Sequence, residues 1–288
     1  MTAAALDDGV RLDVELVRRG LVRSRRRAVE LVAEGKVTVG GAPARKPSQH
    51  VGVDDDLAVH AGHEYVSRAA HKLLGALDDV EVIAPGRLDV RGARCLDAGA
   101  STGGFTEVLL ERGAEHVVAV DVGHGQLADR LRADGRVTVV EGCNVRDHEA
   151  LRSAVAGAAP SFVVADLSFI SLTLVVEPLL RVARPGADLL LMVKPQFEVG
   201  RSRLGGGGVV TDVRQQAEAV VGVVRACEAA GGAVLAVLPS VLPGESGNRE
   251  FFLWVRSAAA PADGVAEAAR RAVLTGGPVL VGSAEAAR

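Results

Sequence analysis

The chain has 288 residues, of which 48% are hydrophobic and 24% are charged, and these proportions exclude a wholly disordered protein. The net charge of −3 is unevenly distributed, because residues 11–50 hold ten Lys or Arg against four Asp or Glu, whereas residues 51–288 carry a net charge of −7. A basic head on an acidic body predicts that the head binds a polyanion.

Cysteine spacing and apolar runs bear on the compartment and on metal binding. Cys95, Cys143 and Cys227 lie far apart and form no CxxC or Cys/His motif, so we expect neither a disulfide framework nor a metal site. No apolar run reaches the roughly 18 residues that a membrane span needs, and the first residues lack the apolar segment of a secretory signal. The sequence therefore predicts a reduced, cytoplasmic protein that does not enter a membrane.

Residues 10–60 are predicted to form a small α+β unit. The apolar stripe in VRLDVELVRRGLV predicts a first helix, and Ser24 is a suitable N-cap for a second helix that Gly35 ends. Short strands follow in KVTVGG and VGVDDDLAVH. Two short helices and a small sheet are typical of a binding module, and several arginines gather where the two helices meet.

The string RLDVELVRRGLVRSRRRAVELVAEGKVTVGG resembles the alpha-L RNA-binding domain of the ribosomal S4 type. Arg-Leu-Asp at the start, Arg-Gly-Leu and Ser-Arg at the junction, and Gly-x-Val-x-Val-x-Gly at the turn stand in the order of that family. A solvated basic helix pair, the alternative, does not require this order. The resemblance implies that residues 1–60 bind RNA, and the candidate RNA-binding residues are Arg11, Arg18, Arg19, Arg25 and Arg27.

After a short linker at 61–66, the pattern alternates between helix and strand. A helix over SRAAHKLLGALDDV precedes seven strand candidates, most of them apolar without alternation, which predicts a sheet buried on both faces. The strand candidates are ARCLDAG, EHVVAVDV, RVTVVEG, SFVVADLS, ADLLLMVK, GAVLAVLPS and REFFLWVR. Residues 67–257 are therefore predicted to form a Rossmann-like, seven-stranded α/β domain, and residues 258–288 a helix near 262–273 and a tail.

The glycine-rich turn in CLDAGASTGGFTEVLL is the candidate cofactor site. Glycines at 99, 103 and 104 allow the backbone to approach a ligand closely, but the dinucleotide fingerprint is not matched, which argues against a dehydrogenase. Asp121 ends the second strand, where an acid can hold ribose hydroxyls, and Asn144 follows the third, where an amide can reach an adenine edge. This layout is typical of an S-adenosylmethionine site, and ordinary turns of an α/β fold are the alternative.

Two lysines and two acids are the candidate catalytic residues. Asp166 ends the fourth strand, Lys194 ends the fifth, Glu250 precedes the last strand and Lys72 lies on the helix before the first. The carboxyl ends of neighbouring strands gather at one edge of such a sheet, and buried charges need partners. Only four of the 33 basic residues are lysines, so a lysine here suggests a need for an ammonium or amine group. Acids placed at strand ends by chance are the alternative.

Over nearly its full length the chain resembles the TlyA family, in which an RNA-binding head is joined to an FtsJ-like ribosomal RNA 2′-O-methyltransferase. The resemblance rests on SRAAHKL, LDAGASTGGFTEVLL, AVDVGHGQL, DLSFISL, VKPQFEVG and GNREFFLW. It implies that S-adenosylmethionine is the methyl donor and that cytidine in ribosomal RNA is the substrate, and we expect a monomer. It also implies a catalytic tetrad of Lys72, Asp166, Lys194 and Glu250, and a donor site of Asp97, Gly99, Ser101, Thr102, Gly103, Asp121 and Asn144.

Lys194 is the candidate general base, because a ribose hydroxyl must lose its proton when it is methylated. Burial and the charge of Lys72 favour a neutral amine at Lys194, whereas the two carboxylates favour an ammonium, so both forms stay open. As an ammonium, Lys194 would orient the hydroxyl, and proximity would supply most of the rate.

The sequence departs from the family pattern at one place and is compatible with two other functions. The family tends to read Gly-Lys-Gly-Gly where this chain has LGGGGVV at 204–210, which removes a basic RNA contact at Gly206. An RNA-binding assembly factor with an inactive enzyme domain is one alternative, and the intact tetrad argues against it. A membrane-lytic protein is the other, since some relatives carry a hemolysin name, and the lack of a spanning segment argues against it.

Overall fold

The chain divides into two units, the first ending at residue 64 and the second beginning at residue 65. The predicted linker at 61–66 lies partly outside the described residues, and the domain bounds predicted from the sequence stay predictions. The computed structural model describes residues 9–22, 24–60, 65–200, 204 and 207–281.

The first unit combines two short helices with two small sheets. Ser24 caps the second helix as predicted, because its Oγ accepts a hydrogen bond from the backbone N–H of Arg27 at 3.2 Å. Leu12, Leu16 and Leu31 are fully buried and form the centre of its core. The elements are β1 (Val10–Arg11), α1 (Leu12–Arg18), α2 (Arg25–Ala33), β2 (Val37–Val39), β3 (Ala42–Pro43), β4 (His50–Val51) and β5 (Leu57–Val59). Strand β1 pairs with β4, and β2 pairs with β3 and β5.

A mixed sheet forms the centre of the second unit. Its strands are β6 (Arg94–Ala98), β7 (His116–Val120), β8 (Val137–Val140), β9 (Phe162–Ala165), β10 (Asp188–Val193), β11 (Gly232–Pro239), β12 (Phe251–Ser257) and β13 (Val279–Leu280). They lie in the order β13-β11-β12-β10-β9-β6-β7-β8. The strands from β6 to β10 run parallel, whereas β12 is antiparallel to both of its neighbours. Val163 and Val164 point to opposite faces and both are fully buried, so the sheet is covered on both sides as predicted.

Helices cover the two faces of this sheet. Helices α3, α4 and α5 pack on one face, and α6, α7, α9 and α10 pack on the other. The bounds are α3 (Ala69–Ile83), α4 (Gly104–Glu111), α5 (Asp129–Arg132), α6 (His148–Ala154), α7 (Val176–Val182), α8 (Pro195–Glu198), α9 (Val213–Ala229) and α10 (Val265–Thr275). A search of the described part of the chain finds no helix with the length and apolar character needed to cross a membrane.

Within the described residues, the sheet has one strand more than the seven predicted. The additional strand, β13, pairs through Val279 and Leu280 with Val237 and Ala236 of β11. A two-residue segment after Gly-Gly-Pro is too short to show either an apolar run or an alternating pattern, so the sequence does not reveal it. The predicted C-terminal helix is present as α10, two to three residues further along the chain than expected.

The order of the strands brings the candidate residues to one edge. Strand β6 lies between β7 and β9, so the chain reverses its direction of travel across the sheet at this point, and ligands bind such sheets beyond the carboxyl ends of the strands. Asp121, Asp166 and Lys194 follow parallel strands and therefore lie at that edge. Glu250 reaches the same edge because it precedes β12, which runs the opposite way.

Candidate active site

The turn between β6 and α4 contains two positions that only glycine fits. Gly99 has a φ of +85°, and a Cβ atom there would lie 2.8 Å from the backbone oxygen of Asp166. Gly103 has a φ of +98°, and a Cβ atom there would overlap the side chain of Leu131. The turn therefore presents bare backbone, which a ligand can approach more closely than a backbone with side chains.

Asp121, directly after β7, is hydrogen-bonded to this turn. Its Oδ2 accepts from the backbone N–H of Ser101 at 2.8 Å, and its Oδ1 accepts from that of Gly123 at 2.7 Å. The first bond helps to hold Ser101 at a φ of +48°, a conformation that costs energy in a residue other than glycine. Asp121 and Ser101 line a small cavity, together with Gln126 and Glu141. Each carboxylate oxygen keeps a lone pair with which it can accept a further hydrogen bond.

A cavity of about 710 Å³ adjoins the turn, and its volume lies in the range that holds a cofactor-sized ligand. Gly99, Ser101 and Thr102 line it on the side of the turn. All four candidate catalytic residues line it as well, although they come from four different segments of the chain. The fold thus joins much of the predicted donor site to the predicted tetrad.

The four candidate catalytic residues form two ion pairs. Lys194 Nζ lies 2.6 Å from Asp166 Oδ1, and Lys72 Nζ donates a hydrogen bond to Glu250 Oε2 at 2.5 Å. Lys72, Lys194 and Glu250 are all more than nine-tenths buried. Burial strengthens the attraction within each pair and makes the loss of either partner costly. The cavity therefore holds two lysine nitrogens, each next to a carboxylate.

Sequence reasoning missed Ser168, which also contacts Lys194. Lys194 Nζ donates a hydrogen bond to Ser168 Oγ at 2.9 Å, and both residues line the large cavity. Ser168 stands two residues after Asp166 in DLSF, a string that carries the family resemblance. A serine after a strand is common, and its partner is 26 residues away in the chain, so only the folded loop reveals the contact.

Phe169 is a second residue that sequence reasoning missed. Its side chain is 92% exposed, its φ is +64°, and it lines the large cavity. The centroid of its ring lies 5.3 Å from that of Phe197. A bulky residue at positive φ is an outlier, and the loop places this ring at the surface of the cavity, where a ligand can contact it. The exposed ring offers a face on which a planar group can stack.

Comparison with known proteins places both units in families. The model of the FtsJ-like methyltransferase family matches residues 65–257, and that of the S4 domain matches residues 10–57. The chain is 50% identical over 271 residues to the 16S/23S rRNA (cytidine-2'-O)-methyltransferase TlyA of Mycobacterium tuberculosis, covering 92% of this chain and 98% of that relative. The chain belongs to the TlyA family of FtsJ-like methyltransferases. The resemblance drawn from the sequence motifs is thereby confirmed.

Other TlyA-family relatives carry a hemolysin name. Hemolysin A of Brachyspira hyodysenteriae is 35% identical over 203 residues, which cover 70% of this chain and 81% of that protein. A solved structure of a hemolysin-named protein from Streptococcus thermophilus superposes with a TM-score of 0.69 at 33% identity, covering 92% of this chain and 94% of the other. The fold of this chain therefore also occurs in a protein that is named as a hemolysin.

In the S4 domain of this TlyA-family chain, the buried acid Asp13 orders two candidate RNA-binding arginines. Asp13 is 2% exposed, and it accepts hydrogen bonds from Arg11 at 3.0 Å and from Arg25 at 2.9 Å. The hydrogen bond from Arg11 is the main cause that lowers the pKa of Asp13 to about 2. The side chains of Arg11 and Arg25 are 45% and 61% exposed, so their guanidinium groups are oriented and yet reach solvent.

Glu15 likewise orders two further arginines, and one of them also holds a loop in place. Glu15 accepts hydrogen bonds from Arg18 and Arg19, and the bond from Arg18 is the main cause that lowers the pKa of Glu15 to about 2. Arg18 is 57% exposed. Arg19 also donates to three backbone oxygens of the loop between β4 and β5, so its guanidinium ties that loop to α1.

Arg27, the fifth candidate, lies along α2 and close to acids. Its Nη1 is 3.2 Å from Glu30 and 3.5 Å from Glu34, and its side chain is 23% exposed. Partial burial and two acidic neighbours leave Arg27 less open to a polyanion than the better exposed arginines of the same domain.

Asp97 occupies a different place from the other predicted donor-site residues. Its side chain is fully buried, Oδ2 accepts a hydrogen bond from Thr106 Oγ1 at 2.7 Å, and Oδ1 has no partner among the described residues. Burial raises the pKa of Asp97 to about 7. Asp97 lines neither the large nor the small cavity. It therefore lies behind the glycine-rich turn, where it binds the first turn of α4.

The raised pKa of Asp97 predicts that stability falls with rising pH. The folded chain holds this proton up to about pH 7, whereas the unfolded chain releases it near pH 4, so wild-type stability declines between these values and is level above them. Asp97→Asn removes this titration. From pH 5 to pH 8, the difference in free energy of unfolding between the variant and wild type should therefore rise by about 2–3 kcal/mol in favour of the variant. Thermal melts of both proteins without methyl donor measure this difference, and a difference independent of pH would contradict it.

One predicted donor-site residue, Asn144, lies away from the cavities. Asn144 lines neither cavity, and its Oδ1 accepts a hydrogen bond from the backbone N–H of Arg146 at 3.1 Å. Its contact with an adenine edge stays a prediction. Gly206, where the resemblance implies the loss of a basic RNA contact, lies outside the described residues. In the described part of the chain there is no group of three or more His, Cys, Asp or Glu side chains that could hold a metal ion.

Proposed function

We propose that this protein transfers a methyl group from S-adenosylmethionine to the ribose 2′-oxygen of cytidine in ribosomal RNA. The observation that carries the proposal is the double lysine–carboxylate arrangement, Lys194 with Asp166 and Lys72 with Glu250, in a cavity shared with the glycine-rich turn. The name of the Mycobacterium tuberculosis relative, a 16S/23S rRNA (cytidine-2'-O)-methyltransferase, supports the choice of substrate.

The turn and the strand end beside it suit S-adenosylmethionine. Gly99 and Gly103 keep the backbone bare, and Ser101 and Thr102 add polar groups at the same place. Asp121 retains lone pairs that can accept hydrogen bonds from two ribose hydroxyls of the donor. We assign Asp97 an indirect role, in which its bond to Thr106 supports the turn from behind.

Methylation of the ribose 2′-hydroxyl releases a proton, so the reaction needs a group in the cavity that accepts it. When bound, S-adenosylmethionine supplies a methyl carbon on a cationic sulfur, and the carbon–sulfur bond breaks with its electron pair passing to sulfur as the 2′-oxygen–carbon bond forms. We assign the 2′-hydroxyl proton to Lys194 Nζ, which takes it as a neutral amine. Asp166 stabilises the resulting ammonium, which then releases the proton to solvent. If Nζ is an ammonium from the start, it instead donates to the 2′-oxygen and orients it.

Lys72 and Glu250 are assigned to positioning and charge balance. Lys72 as an ammonium can donate hydrogen bonds to ribose oxygens while Glu250 holds its nitrogen in place.

Ribosomal RNA is the proposed partner of both units. The exposed guanidinium groups of Arg11, Arg18 and Arg25 suit phosphate contacts, which dominate the affinity of proteins for nucleic acid. Beside the tetrad, the exposed ring of Phe169 suits an unstacked base. We propose that the protein acts as a monomer in the cytoplasm, where ribosomal RNA is found.

Mapping of 2′-O-methyl groups tests this function. Ribosomal subunits from cells that lack the protein are incubated with the purified chain and S-adenosylmethionine labelled in the methyl group. We expect the label at the ribose of a cytidine. An RNA-binding assembly factor with an inactive enzyme domain would bind the subunits and leave them unlabelled, and that result would end the proposal.

The donor site has its own test in Asp121. Asp121→Ala removes the proposed acceptor of the ribose hydroxyls and should weaken S-adenosylmethionine binding by about 1–2 kcal/mol, roughly tenfold, as loss of charge-assisted hydrogen bonds does. Calorimetric titration measures the dissociation constant, and Asp89→Ala, at an exposed acid outside the cavities, is the matched control. Equal affinity of wild type and Asp121→Ala would remove Asp121 from the site.

A further inference from the structure

Lys194 Nζ has two polar neighbours that differ in kind, an ion-pair partner in Asp166 Oδ1 at 2.6 Å and a hydrogen-bond acceptor in Ser168 Oγ at 2.9 Å. A neutral amine has two N–H groups and one lone pair in a tetrahedral arrangement around Nζ. Ser168 Oγ receives one N–H group, whereas Asp166 Oδ1 forms an ion pair with Nζ that lacks the geometry of a hydrogen bond. The negative charge of Asp166 repels a lone pair that points at it, and the cavity that Lys194 lines is where a substrate hydroxyl can meet the lone pair.

We propose that Ser168 is a positioning residue for methyl transfer, which aims the lone pair of Lys194 at the ribose 2′-hydroxyl. The inference rests on the proposed function and adds a residue with no role assigned from the motifs. The ion pair with Asp166 does not by itself set the rotation about the Cε–Nζ bond, so the N–H groups and the lone pair could exchange places. Ser168 Oγ sets that rotation, because it accepts one N–H in a directional hydrogen bond.

The loop that carries Ser168 is held against the segment that follows Lys194. Glu198 Oε1 accepts from the backbone N–H of Leu172 at 2.8 Å, and Glu198 Oε2 accepts from Ser171 Oγ at 2.5 Å. Burial raises the pKa of Glu198, and these bonds offset part of the cost of enclosing its carboxylate.

Contacts in three places therefore join residues 166–172 to residues 194–198. Lys194 meets Asp166 and Ser168 at one end, Glu198 meets Ser171 and Leu172 at the other, and the rings of Phe169 and Phe197 meet between them. A loop attached at both ends and in the middle keeps Ser168 Oγ at a fixed place. The hydroxyl can therefore serve as a steady acceptor for Lys194.

Steady-state methylation of ribosomal subunits measures the kinetic effect of Ser168. Ser168→Ala should lower kcat roughly three- to tenfold, in keeping with the loss of one hydrogen bond. KM for the subunit and the dissociation constant of S-adenosylmethionine should stay at the wild-type values. Ser168→Thr keeps the hydroxyl and should restore most of kcat, and Ser153→Ala, at an exposed serine of α6, is the matched control.

A second measurement does not depend on turnover. The chain has four lysines, so the Nζ signals in a nitrogen-15 spectrum can be assigned by substitution. Ser168→Ala should speed hydrogen exchange at Lys194 Nζ several-fold and shift its signal, and Ser168→Thr should not. Unchanged exchange in Ser168→Ala would overturn the proposal even if wild type proved inactive. A raised KM with unchanged kcat would overturn it too, since that pattern marks a loop that only binds RNA.

Discussion

Lys194→Arg is expected to slow methyl transfer about 100-fold or more, the range for loss of a general base. Arginine keeps the positive charge and can still pair with Asp166, but its guanidinium does not lose a proton in proteins and so cannot accept one from a ribose hydroxyl. Lys194→Ala should be at least as slow, and it also leaves the carboxylate of Asp166 without its partner. Single-turnover methylation of ribosomal subunits, with enzyme in excess, isolates this step from product release.

Control measurements distinguish a general base at Lys194 from a residue that only supplies a positive charge. Both variants should bind S-adenosylmethionine and subunits with wild-type affinity, because Lys194 belongs to the proposed chemical step. Lys36→Arg, the same change at a partly exposed lysine of the first unit, should leave the rate unchanged. If Lys194→Arg methylates at close to the wild-type rate, Lys194 acts by orientation and charge, and the assignment as a base is wrong.

The sheet and the lysine–carboxylate pairs could be predicted because each leaves a mark in the sequence. Seven strands appear as apolar runs that end at a glycine or a polar residue, and the carboxyl ends of parallel strands must meet at one edge. Scarcity of lysine in an arginine-rich chain pointed to Lys72 and Lys194. The ends of neighbouring strands put Lys194 within reach of Asp166, whereas the pairing of Lys72 with Glu250 needed the structure.

Contacts that depend on the path of a loop could not be predicted. Nothing in the spacing of DLSFISL and VKPQFE shows that Ser168 meets Lys194 or that Glu198 meets Ser171, since each contact spans 26 or 27 residues. The arginines of the first unit pose the same difficulty. Arg18 and Arg19 are neighbours of one type, and yet only Arg19 reaches the carbonyl groups of the loop between β4 and β5.

Removing residues 1–64 should weaken the binding of ribosomal RNA by at least about 100-fold and leave S-adenosylmethionine binding in place. The basic residues of the first unit are concentrated in residues 11–50, which carry +6, whereas residues 65–288 carry −3, so the truncated chain loses the basic surface and keeps a net negative charge. Contacts with phosphates release counterions, and this release supplies most of the affinity for nucleic acid at moderate salt. Filter binding to ribosomal RNA and calorimetry with the donor measure the two effects, and undiminished RNA binding by residues 65–288 would contradict the assignment.

Two substitutions in the full chain test which residues supply the affinity for RNA, without the removal of a domain. Arg18→Ala with Arg25→Ala deletes two exposed guanidinium groups, and the buried acids stay paired because Arg19 remains beside Glu15 and Arg11 beside Asp13. We expect the slope of log affinity against log salt to fall by about 2 and affinity to fall about 30-fold near 0.15 M salt, as two lost phosphate contacts require. The matched control, Arg152→Ala with Arg181→Ala, removes two equally exposed arginines of the second unit and should leave the slope unchanged. Equal slopes for both double variants would show that the charge of the whole molecule, and not the arginine surface ordered by Asp13 and Glu15, attracts the RNA.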